Sequence, residues 1–200
     1  FLNSCKKIFC YSNEIKNFPE KFKNKIVIIN PLVKEKIYNL KKDNESKNEF
    51  NLLVVGGSQG ANIFDENLKN IIVNISKKIR VKIFQQTSEN NIRSLKDFYI
   101  KNNIENMIFS FNKNFDRIIQ QADLCVTRAG ASTLAELSVL NIPFIAVPLP
   151  KSKDNHQFEN ANFYKNKDCC WIIEQNYFDG KIEEILKDII DNKNNYLKKK

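Results

Sequence analysis

An α/β fold, a parallel sheet with helices on both faces, is what this sequence predicts, and three observations predict it. Short β-branched runs recur from residue 52 onward and are apolar throughout instead of alternating, the pattern of strands buried on both faces. Between them lie longer stretches with apolar residues at helical spacing, such as Ile63, Leu68, Ile71, Ile72 and Ile75. The two kinds of segment alternate along the chain, as they do in a doubly wound parallel sheet. In such sheets ligands bind outside the carboxyl ends of the strands, so chemistry is expected in the loops that follow strands.

Taken in order, residues 7–12 and 26–29 read as two short strands separated by a polar loop with Pro19. Residues 1–33 are therefore expected to be the remnant of a preceding domain. Residues 34–49 are rich in Lys, Asn, Asp and Glu, with no apolar face wide enough to pack; residues 34–50 read as a linker. The main domain is expected over 51–192, with strands at 52–55, 81–85, 107–110, 124–127, 144–147 and 171–173. Helices are expected over 61–77 and 131–140, and residues 193–200 read as a Lys-rich tail.

Composition bounds what such a domain can do. A chain of 200 residues buries roughly 70% of its unfolded surface, enough for a true core. Its net charge of +9 comes from 32 Lys+Arg against 23 Asp+Glu. The excess is Lys scattered among Asn and Ile, with no Arg-dense stripe interleaved with aromatics, so a nucleic-acid partner is not expected and attraction to an anionic membrane surface is. The five cysteines form no C-x-x-C pair, which points to a reducing compartment and away from a disulfide frame or zinc site. The longest apolar run, around 142–149, is interrupted by Pro143 and Pro148 and is far short of a membrane span. The chain begins at Phe1, and a fragment or processed product is expected.

Three strand-end loops carry candidate chemistry. Gly56-Gly57-Ser58-Gln59-Gly60 follows the first strand of the domain and precedes a helix; glycines there allow a sharp turn, and free N–H groups at the helix start attract phosphate. It is neither a Walker A loop nor G-x-G-x-x-G, and the alternative is a strand-to-helix turn with no ligand. Thr127-Arg128-Ala129-Gly130-Ala131-Ser132-Thr133-Leu134-Ala135-Glu136 repeats the arrangement. Gly130 and the small residues after it leave room for an anion against the backbone, and the Glu136 carboxylate can accept from a vicinal diol such as ribose. A helix N-terminus with an acidic first turn is the plainer account. The third loop, from Pro148 to Gln157, crowds polar groups after a buried strand and holds His156, the single histidine. Nothing in the sequence supports a nucleophile elbow, H-E-x-x-H or a metal-holding D-x-D.

Together these loops, with Asn141-Ile142-Pro143, Asp154-Asn155-His156-Gln157 and Asn160-Ala161, resemble the donor half of the MurG family. These are UDP-N-acetylglucosamine:undecaprenyl-pyrophosphoryl-muramoyl-pentapeptide N-acetylglucosaminyltransferases, which make lipid II for peptidoglycan. The resemblance runs from about Lys25 to about Ile190. It implies one Rossmann-like half of a GT-B fold, an inverting and metal-independent reaction without cofactor, UDP-GlcNAc as donor and lipid I as acceptor, at the inner face of a bacterial membrane. It further implies that Ser58 approaches the pyrophosphate, that Ala131, Ser132 and Thr133 present donors to the diphosphate and that Leu134 belongs to the UDP-GlcNAc-binding set, with Gly56, Gly57, Gly60 and Gly130 shaping the phosphate loops. Glu136 would hold the ribose, Asn112 would read the uracil edge through its backbone, and His156 and Gln157 would meet the sugar.

The sequence departs from the family in two places. At the interdomain linker the family's Gly-Asn-Pro-Val-Arg is replaced by Ile29-Asn30-Pro31-Leu32-Val33-Lys34, leaving Lys34, one place late, as the nearest phosphate cation. Lysine offers a point charge without the guanidinium fork. The amino-terminal domain, with the histidine expected as base, would lie before Phe1, so the resemblance assigns no catalytic residue to these 200 positions. Two other readings remain: a UDP-N-acetylglucosamine 2-epimerase-like enzyme, and a noncatalytic nucleotide-binding module with a basic membrane- or RNA-binding surface.

Overall fold

A computed structural model of the chain describes residues 1–11, 15, 17–40, 49–57, 62–150, 152 and 155–192. Six parallel strands form its main sheet: β3 (Phe50–Val55), β4 (Val81–Gln86), β5 (Glu105–Phe109), β6 (Leu124–Thr127), β7 (Phe144–Ala146) and β8 (Cys170–Ile172). Their spatial order is β5-β4-β3-β6-β7-β8. The chain runs outward from β3 to one edge, then returns to the middle and runs to the other. The order therefore reverses between β3 and β6, which is where a ligand crevice belongs in an open α/β sheet. A separate parallel pair, β1 (Ile8–Cys10) and β2 (Ile26–Ile28), precedes it and leaves Phe9 and Ile28 exposed.

The apolar strands sort their side chains by period two into two cores. Leu52, Val54, Ile83, Val126 and Ile145 face one side, where they meet α2 (Asn62–Ser76), α3 (Glu89–Lys101) and α7 (Phe178–Asp191). Leu53, Val55, Phe84, Cys125 and Phe144 face the other, against α1 (Glu35–Tyr38), α4 (Phe115–Gln121), α5 (Ala131–Val139) and α6 (His156–Lys165). The predicted doubly wound sheet is thus present, with each strand end within two residues of its expected position. Burial of the Cys125 thiol in this core pushes its pKa up, making it an inert packing residue.

Two local features explain how a chain with five glycines in 200 residues makes its turns. Left-handed backbone falls on Asn17, Asn103, Asn141, Asn155 and Asp168, with Gly57 the one such glycine among the described residues. Asn103 and Asn141 follow α3 and α5, so asparagine takes the helix-ending position where glycine is more usual.

The segment read as a linker differs from its expectation. Residues 35–38 form a helical turn whose Ile37 is buried in the second core beside Val33 and Leu40. One buried isoleucine suffices to dock a single turn, because the rest of that turn can stay in water. Residues 41–48 and the tail at 193–200 lie outside the described residues. Among the described residues no helix is long and apolar enough to cross a membrane.

Candidate functional site

At the reversal between β3 and β6 the structure opens a cavity of about 320 Å³, within the range of small-ligand sites. Val55 and Ile37 are among its lining residues, and Phe109, Phe111 and Phe115 make part of the lining aromatic. Phe109 and Phe115 are tilted at 58° with ring centroids 6.4 Å apart, while Phe111 stands 76% exposed, so its face is open to a ligand. The polar part of the lining comprises Gly57, Gln86, Asn112, Thr133 and Glu136, together with the charged Lys34, Lys36, Lys113 and Asp116. A lining that combines aromatic faces with polar and charged groups suits a ligand that carries both a planar ring and hydroxyls or anionic oxygens.

Glu136 is the buried acid of this site. It sits in α5, 7% exposed, among Leu134, Ala135 and Leu137. Burial raises its carboxyl above the ordinary glutamate range; Lys34 and Lys36 pull it back, and Asp116 pushes it up again. Lys36 also pairs with Asp116 at 2.9 Å, joining α1 to α4, and that hydrogen bond holds Asp116 below the usual aspartate range. Three lysines, Lys34, Lys36 and Lys113, and two carboxylates, Asp116 and Glu136, line the cavity, and Glu136 is coupled to Lys34, Lys36 and Asp116.

The loop after β6 opens α5. Gly130 is the N-cap residue in extended conformation, and Ala131 and Ser132 are exposed while Thr133 is half-buried at the cavity. First-turn amides of a helix have no intrahelical acceptor and face outward. Leu134 differs: its side chain is wholly buried in the second core and its N–H donates to the Gly130 carbonyl at 3.1 Å. Arg128 is absorbed by structure. Its Nη1 donates to the Val147 carbonyl (3.2 Å), its Nη2 to Gln175 Oε1 (2.7 Å), and its guanidinium lies 5.3 Å over the Phe64 ring.

Gly56 is buried, and Gly57, two residues past the end of β3, has φ +75°. Ser58 and Gly60 lie outside the described residues. In the loop after β5, Asn112 lines the cavity and its Oδ1 accepts from the Asn114 N–H at 2.8 Å, an Asx-type turn that sets the local backbone.

The third loop approaches from α6. Gln157 Oε1 accepts from the Leu149 N–H at 2.9 Å, and the Gln157 N–H donates to Ser152 Oγ at 3.4 Å. Asn160 Nδ2 donates to the Ala129 carbonyl at 3.0 Å, tying α6 to the loop before α5. His156 is exposed at the first position of α6.

Of the residues predicted from sequence, the cavity gathers Gly57, Asn112, Thr133, Glu136 and Lys34. Gly56, Gly130, Ala131, Ser132, Leu134, His156 and Gln157 are not among its described lining residues. Sequence reasoning missed Lys36, Gln86, Asp116 and the three phenylalanines. Phe109, Phe111 and Phe115, spaced from the end of β5 to the start of α4, carried a legible aromatic signal; the pairing of Lys36 with Asp116, eighty positions apart, carried none. Among the described residues no group of three His, Cys, Asp or Glu is placed to hold a metal ion.

Comparison with known proteins adds an independent line. Residues 51–200 match the family model described as Glycosyltransferase family 28 C-terminal domain. The whole chain is 50% identical over 201 residues to the UDP-N-acetylglucosamine--N-acetylmuramyl-(pentapeptide) pyrophosphoryl-undecaprenol N-acetylglucosamine transferase of Pelagibacter ubique, covering 56% of that protein. The protein of the same description from Rickettsia canadensis is 36% identical over 198 residues, covering 96% of this chain and 56% of that one. The crystal structure of Acinetobacter baumannii MurG superposes with a TM-score of 0.77 at 23% identity, over 98% of this chain and 55% of that one, a likeness of fold. The chain spans about half the length of the curated relatives it matches.

Proposed function

The chain belongs to the glycosyltransferase family 28 C-terminal domain family, and from that membership we propose that it is the donor-binding half of an inverting, metal-independent transferase that takes N-acetylglucosamine from UDP-N-acetylglucosamine. The observation that carries the reading is Glu136, a buried acid of α5 that lines the cavity at the reversal of strand order together with three phenylalanines and Thr133 of the first turn of α5. A nucleoside diphosphate offers a planar base, a vicinal diol and anionic oxygens to such a lining. The curated relatives carry a transferase name, which does not favour the epimerase alternative.

In this reading the phenylalanine wall takes the uracil face and the backbone at Asn112 its edge. Glu136 accepts from the ribose hydroxyls, and a charged acceptor makes the stronger class of hydrogen bond. The first-turn amides of α5, with Thr133, Ser132 and Ala131, meet the diphosphate beside Gly57, Ser58 is assigned to the same group from the sequence, and Lys34 offsets its charge. His156 and Gln157 are assigned to the sugar; Leu134 serves by fixing the first turn from below.

The acceptor is proposed to be lipid I and the product lipid II, made at the cytoplasmic face of a bacterial membrane. An acceptor hydroxyl attacks the sugar C1 from the face opposite the diphosphate, the C1–O bond breaks, and UDP leaves with the electron pair. Negative charge grows on the departing oxygen, where oriented N–H dipoles and Lys34 stabilise it without reorganising. The base that takes the acceptor proton is assigned to the portion of the relatives to which these residues have no counterpart.

Calorimetric titration with UDP in the absence of added metal tests the reading. Saturable binding is expected, and no detectable binding would sink it. Robust transfer of N-acetylglucosamine to the lipid acceptor by these 200 residues alone would refute the placement of the base.

A further inference from the structure

The loop that begins at Gly57 and the loop after β5 come from different strands, yet one side chain joins them. Gln86, the last residue of β4, accepts from the Gly57 N–H through Oε1 at 3.3 Å and donates from Nε2 to the Ser110 carbonyl at 3.1 Å. A donor on one side and an acceptor on the other fix the orientation of the amide. Both ends are engaged by protein, so Gln86, though it borders the cavity, acts on a ligand through the two loops it joins.

The preceding residue braces the same strand-to-helix connection from the other face of the sheet, because successive strand residues point to opposite sides. Gln85 Nε2 donates to Asp65 Oδ1 at 2.8 Å, Thr87 Oγ1 and Asn91 Nδ2 donate to Asp65 Oδ2 at 2.5 and 2.9 Å, and Tyr99 donates to Gln85 Oε1 at 2.8 Å. Asp65 lies in the first turn of α2 and is buried. The end of β4 thus grips the connection between β3 and α2 twice, at Gly57 before it and at Asp65 after it.

We infer that Gln86 is a positioning residue that sets the spacing between the loop meeting the base and the turn meeting the diphosphate, so that a nucleoside diphosphate is recognised as one unit and not as two independent parts. The inference rests on the proposed function. It predicts a coupling: loss of Gln86 weakens a ligand that spans both loops more than one that reaches only the first.

The test uses Gln86→Met, which keeps side-chain volume and removes both hydrogen bonds. Titrations of the unaltered and altered chains are made with UDP, which spans both loops, and with uridine, which lacks the phosphates. The expected result is about a tenfold loss of UDP affinity with uridine affinity changed by less than about twofold. Gln86→Ala, smaller and equally unable to make the two bonds, should show the same split, and thermal unfolding of both variants checks that the domain remains folded. UDP binding by the unaltered chain with equal losses for UDP and uridine, or with no loss for UDP, would overturn this inference alone. Absence of UDP binding by the unaltered chain would overturn the proposed function and this inference with it.

Discussion

Replacing Glu136 by alanine isolates the group on which the proposed site depends. The residue is 7% exposed and lines the cavity, and the two ribose hydroxyls would donate to its carboxylate. A hydrogen bond to a charged acceptor contributes about 1.5–3 kcal/mol. Two such bonds, less the cost of drying the carboxylate and holding the diol, should net about one, so Glu136→Ala is expected to weaken UDP roughly 12- to 150-fold. Glu136→Gln keeps the shape and one acceptor oxygen without the charge, and about half that free energy should be lost. Folding should be spared, because burial already disfavours the ionised side chain; the change in unfolding free energy is expected to stay within about 1 kcal/mol. Isothermal titration with UDP, beside urea unfolding of each variant, separates the two effects. A Glu136→Ala protein that is folded and binds UDP within about twofold of the unaltered chain would refute the assignment of Glu136 to the diol.

The remaining predictions concern the same frame. Uridine binding should be full above the Glu136 pKa and fall as pH drops through it, since the ionised carboxylate is the acceptor; burial raises that pKa, so the midpoint should lie above the ordinary 4.5, and an NMR titration showing a midpoint at or below that value would contradict the scheme. Gly57→Ala places a Cβ at φ +75° with nothing within 4 Å, so its cost is backbone strain of about 1–2 kcal/mol, read as a lower urea midpoint; an unchanged midpoint would show that the turn relaxes freely. Asp65→Ala strands the donors of Gln85, Thr87 and Asn91 and should cost about 2–4 kcal/mol of unfolding free energy, whereas a loss below about 0.5 kcal/mol would mean that water replaces the carboxylate.

How legible the molecule was in its sequence follows from the range over which each signal acts. The runs at 52–55 and 124–127 are apolar at every position, and a strand buried on both faces leaves no other pattern, so these were readable locally. Glu136 was readable because a loop of small residues followed by an acid one turn into a helix is a contiguous pattern. Ile37 was not, since a single isoleucine among lysines carries no periodicity, and only the groove beside α5 gives it a place to be buried. Gln86 was equally silent: its hydrogen bonds reach Gly57 and Ser110, 29 and 24 positions away.

The sequence by itself determined the alternation of strands and helices and the three strand-end loops, because hydrophobic period and small-residue turns are encoded between near neighbours. Only the tertiary structure decided which loops meet. The strand order β5-β4-β3-β6-β7-β8 puts the ends of β3 and β6 side by side and brings Phe109, Phe111 and Phe115 into one cavity with Glu136, while Lys36 is set against Asp116. Strand neighbours are chosen by burial and crossover geometry over the whole sheet, and no local pattern carries that information.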